Sequence, residues 1–246
     1  MRKLKHVVLL IIALFWITSN NLNGQDSGVT WDFPIKPGMQ EWKKLNSHIA
    51  MVDICQVPAD ILPNIQTDDL VTICLDYPLF FTMTAFNNLQ EGFNQVSTEF
   101  NGFQELFKRK DAGKSLIKKY QELEPKLIEL MKTPLERGHY KYRLFFMEFI
   151  LAQQDIITLT DNDIKLLLSE TLIKLDQKGK HNFSLFNTQA TLLIICRILE
   201  ANKYTKYEIL NQKDNKYLIF SKSFRLSDKN MIKEIKTMAT EYLVTM

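Results

Sequence analysis

Apolar positions in this chain recur mostly at three- and four-residue intervals between polar turns, and the alternation expected of a half-buried strand is scarce. After Tyr77-Pro78, where proline suits a first helical position, Leu79, Met83, Phe86, Phe93, Val96 and Phe100 share one face and predict a long amphipathic helix. Thr133-Pro134-Leu135-Glu136 has the form of a capping box, opening a helix from Arg137 to Leu159. Thr160-Asp161-Asn162-Asp163 ends that helix and starts the next, Ile164 to Asp176. Another helix holds Leu192 to Leu199, and Ser227-Asp228 caps the last, which runs to Leu243. Shorter helices fit Gln40 to Cys55 and Asp68 to Leu75, the second capped by Thr67. Trp31-Asp32-Phe33-Pro34 reads as an extended strap, because the residue before proline avoids helical angles. Tyr217 to Phe224 is the one stretch whose pattern admits a strand. The expectation is an all-α fold of stacked helical hairpins in the manner of an α-solenoid, without a fixed repeat period.

The start of the chain follows a different pattern. Arg2, Lys3 and Lys5 precede an unbroken apolar run from Val7 to Ile17, which gives way to Thr18, Ser19, Asn20 and Asn21. That order is the order of a secretory signal peptide. Eleven helical residues would span about 16 Å, roughly half a bilayer's hydrocarbon core, so the run is too short for a transmembrane helix. Cleavage after Gly24 divides the chain into a signal peptide, residues 1–24, and a single helical domain, residues 25–246. The address expected is the periplasm, the cell surface or the medium.

Charge changes its meaning once that segment is set aside. The formal net charge of +3 comes from 31 basic and 28 acidic residues, and residues 1–24 carry three of the basic ones and none of the acidic ones. The remaining domain is balanced, so no nucleic-acid partner is expected and membrane binding is disfavoured, since both need a basic face. The lysines and arginines between Lys108 and Lys119 interleave with Glu105, Asp111 and Glu122, as on a solvated helix face. Eight glycines and no low-complexity tract leave nothing that marks a linker.

Candidate chemistry is thin. Three cysteines lie beyond the signal peptide, at 55, 74 and 196. In an oxidising compartment Cys55 and Cys74 are the natural disulfide pair, closing about 20 residues for roughly 3 kcal/mol. On antiparallel neighbouring helices, however, their thiols could sit a full turn apart, beyond a disulfide's reach. Cys196 lies within an apolar run and reads as a buried small hydrophobe. His48, His139 and His181 stand far apart in no ligand frame, so no metal and no cofactor is expected. Nucleophile-elbow, phosphate-loop and dinucleotide motifs are missing. One stretch stands out: Asn87 and Asn88 interrupt aromatic-rich sequence, and Phe100-Asn101-Gly102 bends the chain ahead of Glu105 and Arg109. Either Asn87, Asn101, Glu105 and Arg109 gather at the Gly102 bend as a binding site, or they cap a kinked helix with their own side chains.

The segments Trp31-Asp32-Phe33-Pro34-Ile35-Lys36-Pro37-Gly38, Cys74-Leu75-Asp76-Tyr77-Pro78-Leu79, Phe100-Asn101-Gly102-Phe103-Gln104-Glu105-Leu106 and Arg109-Lys110-Asp111-Ala112 resemble uncharacterised secreted all-helical proteins of Gram-negative bacteria. The resemblance covers about half of the domain and implies export and a helical fold. It carries no residue roles, as no activity is established for those proteins. The function expected is therefore a secreted, non-enzymatic binding or scaffolding protein of the cell envelope, with a protein or peptide partner. The alternative is a secreted hydrolase whose acid and base meet only in three dimensions, and a membrane-surface module comes third.

Overall fold

The computed structural model describes residues 31–157 and 159–246, together with all their side chains except that of Ile157. The signal-peptide reading falls on residues outside this range. Every regular element among the described residues is helical, and none is a strand. In chain order the α-helices are α1 (Gln40–Lys43), α2 (His48–Ile54), α3 (Thr67–Leu75), α4 (Leu89–Glu99), α5 (Asn101–Leu106), α6 (Ala112–Glu122), α7 (Pro134–Leu151), α8 (Gln154–Ile157), α9 (Asp161–Lys180), α10 (Leu185–Ala201), α11 (Thr205–Asp214), α12 (Lys216–Ser223) and α13 (Asn230–Thr245). Three 3₁₀ segments, Leu62–Asn64, Phe80–Ala85 and Pro125–Leu130, join them.

The all-α expectation stands. Consecutive helices α9 and α10 pack as a hairpin, as do α11 and α12. Helix α10 also packs on α7 and α13, which closes the stack around one core. Two helices account for that centre. Every residue of α7 from Leu144 to Leu151 is buried, as is nearly all of α10 from Ala190 to Leu199. A helix apolar on all sides has no solvent face to spare and must lie in the middle.

Several boundaries differ from expectation, each for a local reason. The long helix after Pro78 is two pieces: the 3₁₀ segment Phe80–Ala85, then α4, which starts because the Asn88 side chain accepts from the Glu91 N–H at 2.9 Å. Phe86 consequently leaves the shared face and is exposed. Gly92 lets α4 lie against the 3₁₀ segment, since a Cβ there would come within 2.0 Å of the Met83 carbonyl oxygen. Gln40 to Cys55 also divides, with Ser47 capping α2 through the Ala50 N–H. Thr67 is the first residue of α3 rather than its side-chain cap, and its hydroxyl faces Arg109 instead. Helix α7 stops at Leu151, where the Gln153 amide donates to the Phe149 carbonyl.

Tyr217 to Phe224 is helical, not extended. Tyr217, Phe220 and Ser221 are its buried residues, at helical spacing, and left-handed Asn215 and Phe224 bound α12 at either end. The expected caps Thr133 and Thr160 are both in place, the first with its full capping box. Asp228 serves α13 by accepting from the N–H groups of Asn230 and Met231.

Candidate functional site

Three of the four candidate binding residues grip the chain itself. The Asn101 side chain pairs with the backbone of Val57, accepting from its N–H at 3.0 Å and donating to its carbonyl at 2.7 Å. Arg109 donates to the carbonyls of Ile65 (2.5 Å) and Leu62 (3.1 Å), to the Thr67 hydroxyl (3.3 Å) and to Glu105 (3.1 Å). Together they bind the loop between α2 and α3, which has little regular structure of its own, to α5 and the turn after it. Asn87 lies exposed in the turn before α4. The arrangement matches side-chain capping of a bent segment, in which these hydrogen-bonding groups are spent internally.

Cys55, Cys74 and Cys196 are buried free thiols in this structure, where the possible Cys55–Cys74 bridge is not formed. Burial pushes the Cys55 thiol up to about 11 and raises the other two further, which disfavours the thiolate a nucleophile would need. The histidines remain apart: His48 meets Glu99 at 3.0 Å, His181 meets Glu129 at 2.7 Å, and His139 is exposed. Among the described residues no His, Cys, Asp and Glu cluster could hold a metal.

A buried polar network escaped the sequence reading. Glu148 on α7 and Lys178 on α9 form an ion pair at 2.5 Å with both side chains fully buried. Lys178 also donates to the Asn187 carbonyl and the Thr191 hydroxyl, each at 2.8 Å, which uses all three ammonium hydrogens. Glu148 accepts in addition from the hydroxyls of Tyr120 (2.9 Å) and Thr191 (3.0 Å). Desolvation pulls the Lys178 pKa down against the attraction of Glu148, and it raises that of Tyr120, where Glu148 acts in the same direction. Buried Lys174 sits 4.7 Å from the centre of the Tyr120 ring and pairs with Glu170. The signal was a glutamate within the apolar run Leu144 to Leu151, which no solvated helix face would require. Because Glu148 and Lys178 are paired with each other and with groups of the neighbouring helices and sealed from solvent, the network holds α6, α7, α9 and α10 together.

Two concave surfaces bear on the candidate chemistry. The first is a cleft of about 860 Å³ with a mixed polar and apolar lining and Arg197 in its wall. Arg197 donates to the carbonyls of Ala152 (2.6 Å) and Ser221 (3.1 Å) and to the Gln90 side chain (2.6 Å), tying α10 to α4, to the turn after α7 and to α12. Burial lowers its pKa to about 10, with Glu200 opposing the shift. Asp155, Asp161 and Glu200 line this cleft, and among the described residues no histidine or cysteine does.

The second is a shallow groove of about 870 Å³ between the 3₁₀ segment Phe80–Ala85 and the first half of α7. Phe81, Leu135 and Tyr142 line it while 50%, 67% and 38% exposed. The rings of Phe81 and Tyr142 meet edge to face at 5.0 Å, and Tyr142 continues inward to Phe146, which stacks on Phe80. Charged groups at the rim are already engaged: Arg143 pairs with Asp76, and Glu136 accepts from the backbone of Lys132 and Thr133. Exposed His139 also lines the groove, and most of the remaining surface is apolar.

The class of protein that this fold defines is an all-α domain closed around two buried helices. No protein-family model, curated protein or solved structure matches the chain.

Proposed function

We propose that this chain is an exported, non-enzymatic binding or scaffolding protein of the cell envelope, which docks an apolar segment of a protein partner in the Phe81–Tyr142 groove. The observation that carries the reading is the exposure of three large apolar side chains around one groove whose Arg143, Asp76 and Glu136 are engaged within the chain. Contiguous apolar surface of this kind is costly to leave in water and is characteristic of interaction sites. Aromatic rings supply much of the energy at such sites. The hydrolase alternative draws less support, because the Arg197 cleft has its guanidinium engaged on three sides within the chain and the Ser221 hydroxyl donating to Glu200 at 3.0 Å.

A photo-crosslinking side chain at position 81 of the full chain, expressed in its own envelope, tests the groove. A discrete protein adduct is expected, lost when Leu135→Glu and Tyr142→Glu are added while the thermal melt is retained. An adduct indifferent to those two substitutions would overturn the assignment. Export has its own test: the protein recovered from the envelope fraction should begin near Gln25, and an intact residue 1 on cytoplasmic protein would refute it.

A further inference from the structure

The cleft of about 860 Å³ beside Arg197 carries charges of both signs that do not meet one another. Arg197 and Lys222 line it together with Asp161 and Glu200, and among the described residues none of the four comes within ion-pair distance of an opposite charge. Asp155, the fifth charged residue there, has an interaction of its own within the chain. Arg197 is the fixed point. Its donations to the carbonyls of Ala152 and Ser221 and to the Gln90 side chain use three of the five guanidinium N–H groups and leave two. Lys222 follows Ser221 in the chain, so both cations belong to one wall. Asp161 opens α9, and Glu200, near the end of α10, accepts from the Ser221 hydroxyl with one oxygen and keeps the other. A half-buried cation held only by neutral acceptors retains part of the cost of leaving water, which a counter-ion would offset.

From this juxtaposition we infer that the cleft binds a small zwitterion, a free amino acid or short peptide with both termini charged. Its carboxylate meets Arg197 and Lys222, and its ammonium meets Asp161 and Glu200. The volume is that of a small-ligand site. Two unpaired cations and two unpaired carboxylates balance, so an ion of one sign is attracted by one pair and repelled by the other, whereas a zwitterion makes charge-assisted hydrogen bonds to both. Phe107 and Leu159, only partly buried in the lining, leave carbon for an apolar side chain.

Calorimetric titration of the full domain with leucine and with alanyl-leucine tests this, and the tighter of the two tells a free amino acid from a peptide. The N-acetylated and C-amidated forms of each keep one charge only. Saturable binding of at least one zwitterion is expected, with both of its single-charge forms weaker. Asp161→Asn should raise the Kd of the zwitterion about tenfold and leave that of the acetylated form unchanged. Lys222→Gln should raise it by a similar factor and leave the amidated form unchanged, the losses expected when one charge-assisted contact is removed. Both side chains are exposed, so neither substitution disturbs the core, and Arg197 keeps its place between the helices. No saturation by either zwitterion, a single-charge form binding as tightly as its parent, or a Kd indifferent to either substitution would each overturn the inference. Cross-linking from position 81 reports on the Phe81–Tyr142 groove, so the two readings fail independently.

Discussion

Around Phe103 the rings of Tyr77, Phe80, Phe93, Phe100 and Phe107 lie 5.1 to 6.4 Å away, centre to centre. Around Glu148 the interior is built instead from Lys178, Tyr120, Thr191 and the Asn187 carbonyl. The first region fills space with groups that are indifferent to the identity of their neighbours so long as volume is conserved. The second depends on each member, since a buried charge without its partner retains the full cost of leaving water. Even the tyrosines divide along this line. Tyr77 stacks on Phe100 at 4.2 Å with its buried hydroxyl unpartnered among the described residues, whereas the Tyr120 hydroxyl donates to Glu148.

Substitutions should therefore have unequal effects in the two regions. The largest loss is expected from Lys178→Met, which keeps the shape of the side chain but strands Glu148, at about 3–5 kcal/mol in chemical denaturation. Adding Glu148→Leu to that variant should recover stability relative to Lys178→Met alone, and a further loss would contradict the account of the pair. Tyr120→Phe removes one acceptor's partner and should cost about 2 kcal/mol by the same measurement. Phe103→Leu, in the aromatic region, should cost only about 1–1.5 kcal/mol despite altering a fully buried ring, with the slope of the denaturation curve unchanged. Smallest is Tyr77→Phe, which deletes a hydroxyl without a partner. Its melting temperature should match or slightly exceed that of the parent, and a clear drop would show that the hydroxyl has a role the geometry does not reveal.

The features legible beforehand were those whose partners lie within one turn. Thr133 and Glu136 are three residues apart, as are Thr160 and Asp163, and each pair forms its cap from local geometry alone. Asn88 also acts within three residues, yet its capping role was read as an interruption because aromatic periodicity ran across it. Tyr217 to Phe224 misled for a related reason. Its residue types suit a strand, and its helix depends on a core ready to take Tyr217, Phe220 and Ser221. Three of the four candidate residues, Asn101, Glu105 and Arg109, share contacts whose partners were not legible: Asn101 reaches Val57 across 44 residues and Arg109 reaches Leu62 across 47.

By itself the sequence determined that the chain is helical, where many of its helices begin, and that no familiar catalytic motif interrupts them. These follow from spacing and capping, which are interactions over three or four residues. Tertiary structure alone decided which charges are buried and which surfaces stay apolar in water. Glu148 meets Tyr120, Lys178 and Thr191 only because α7 packs against α6, α9 and α10, and Phe81 meets Tyr142 only because the 3₁₀ turn lies across α7. Burial and pairing are sums over neighbours distant in sequence, and the pattern of any one helix contains no term for them.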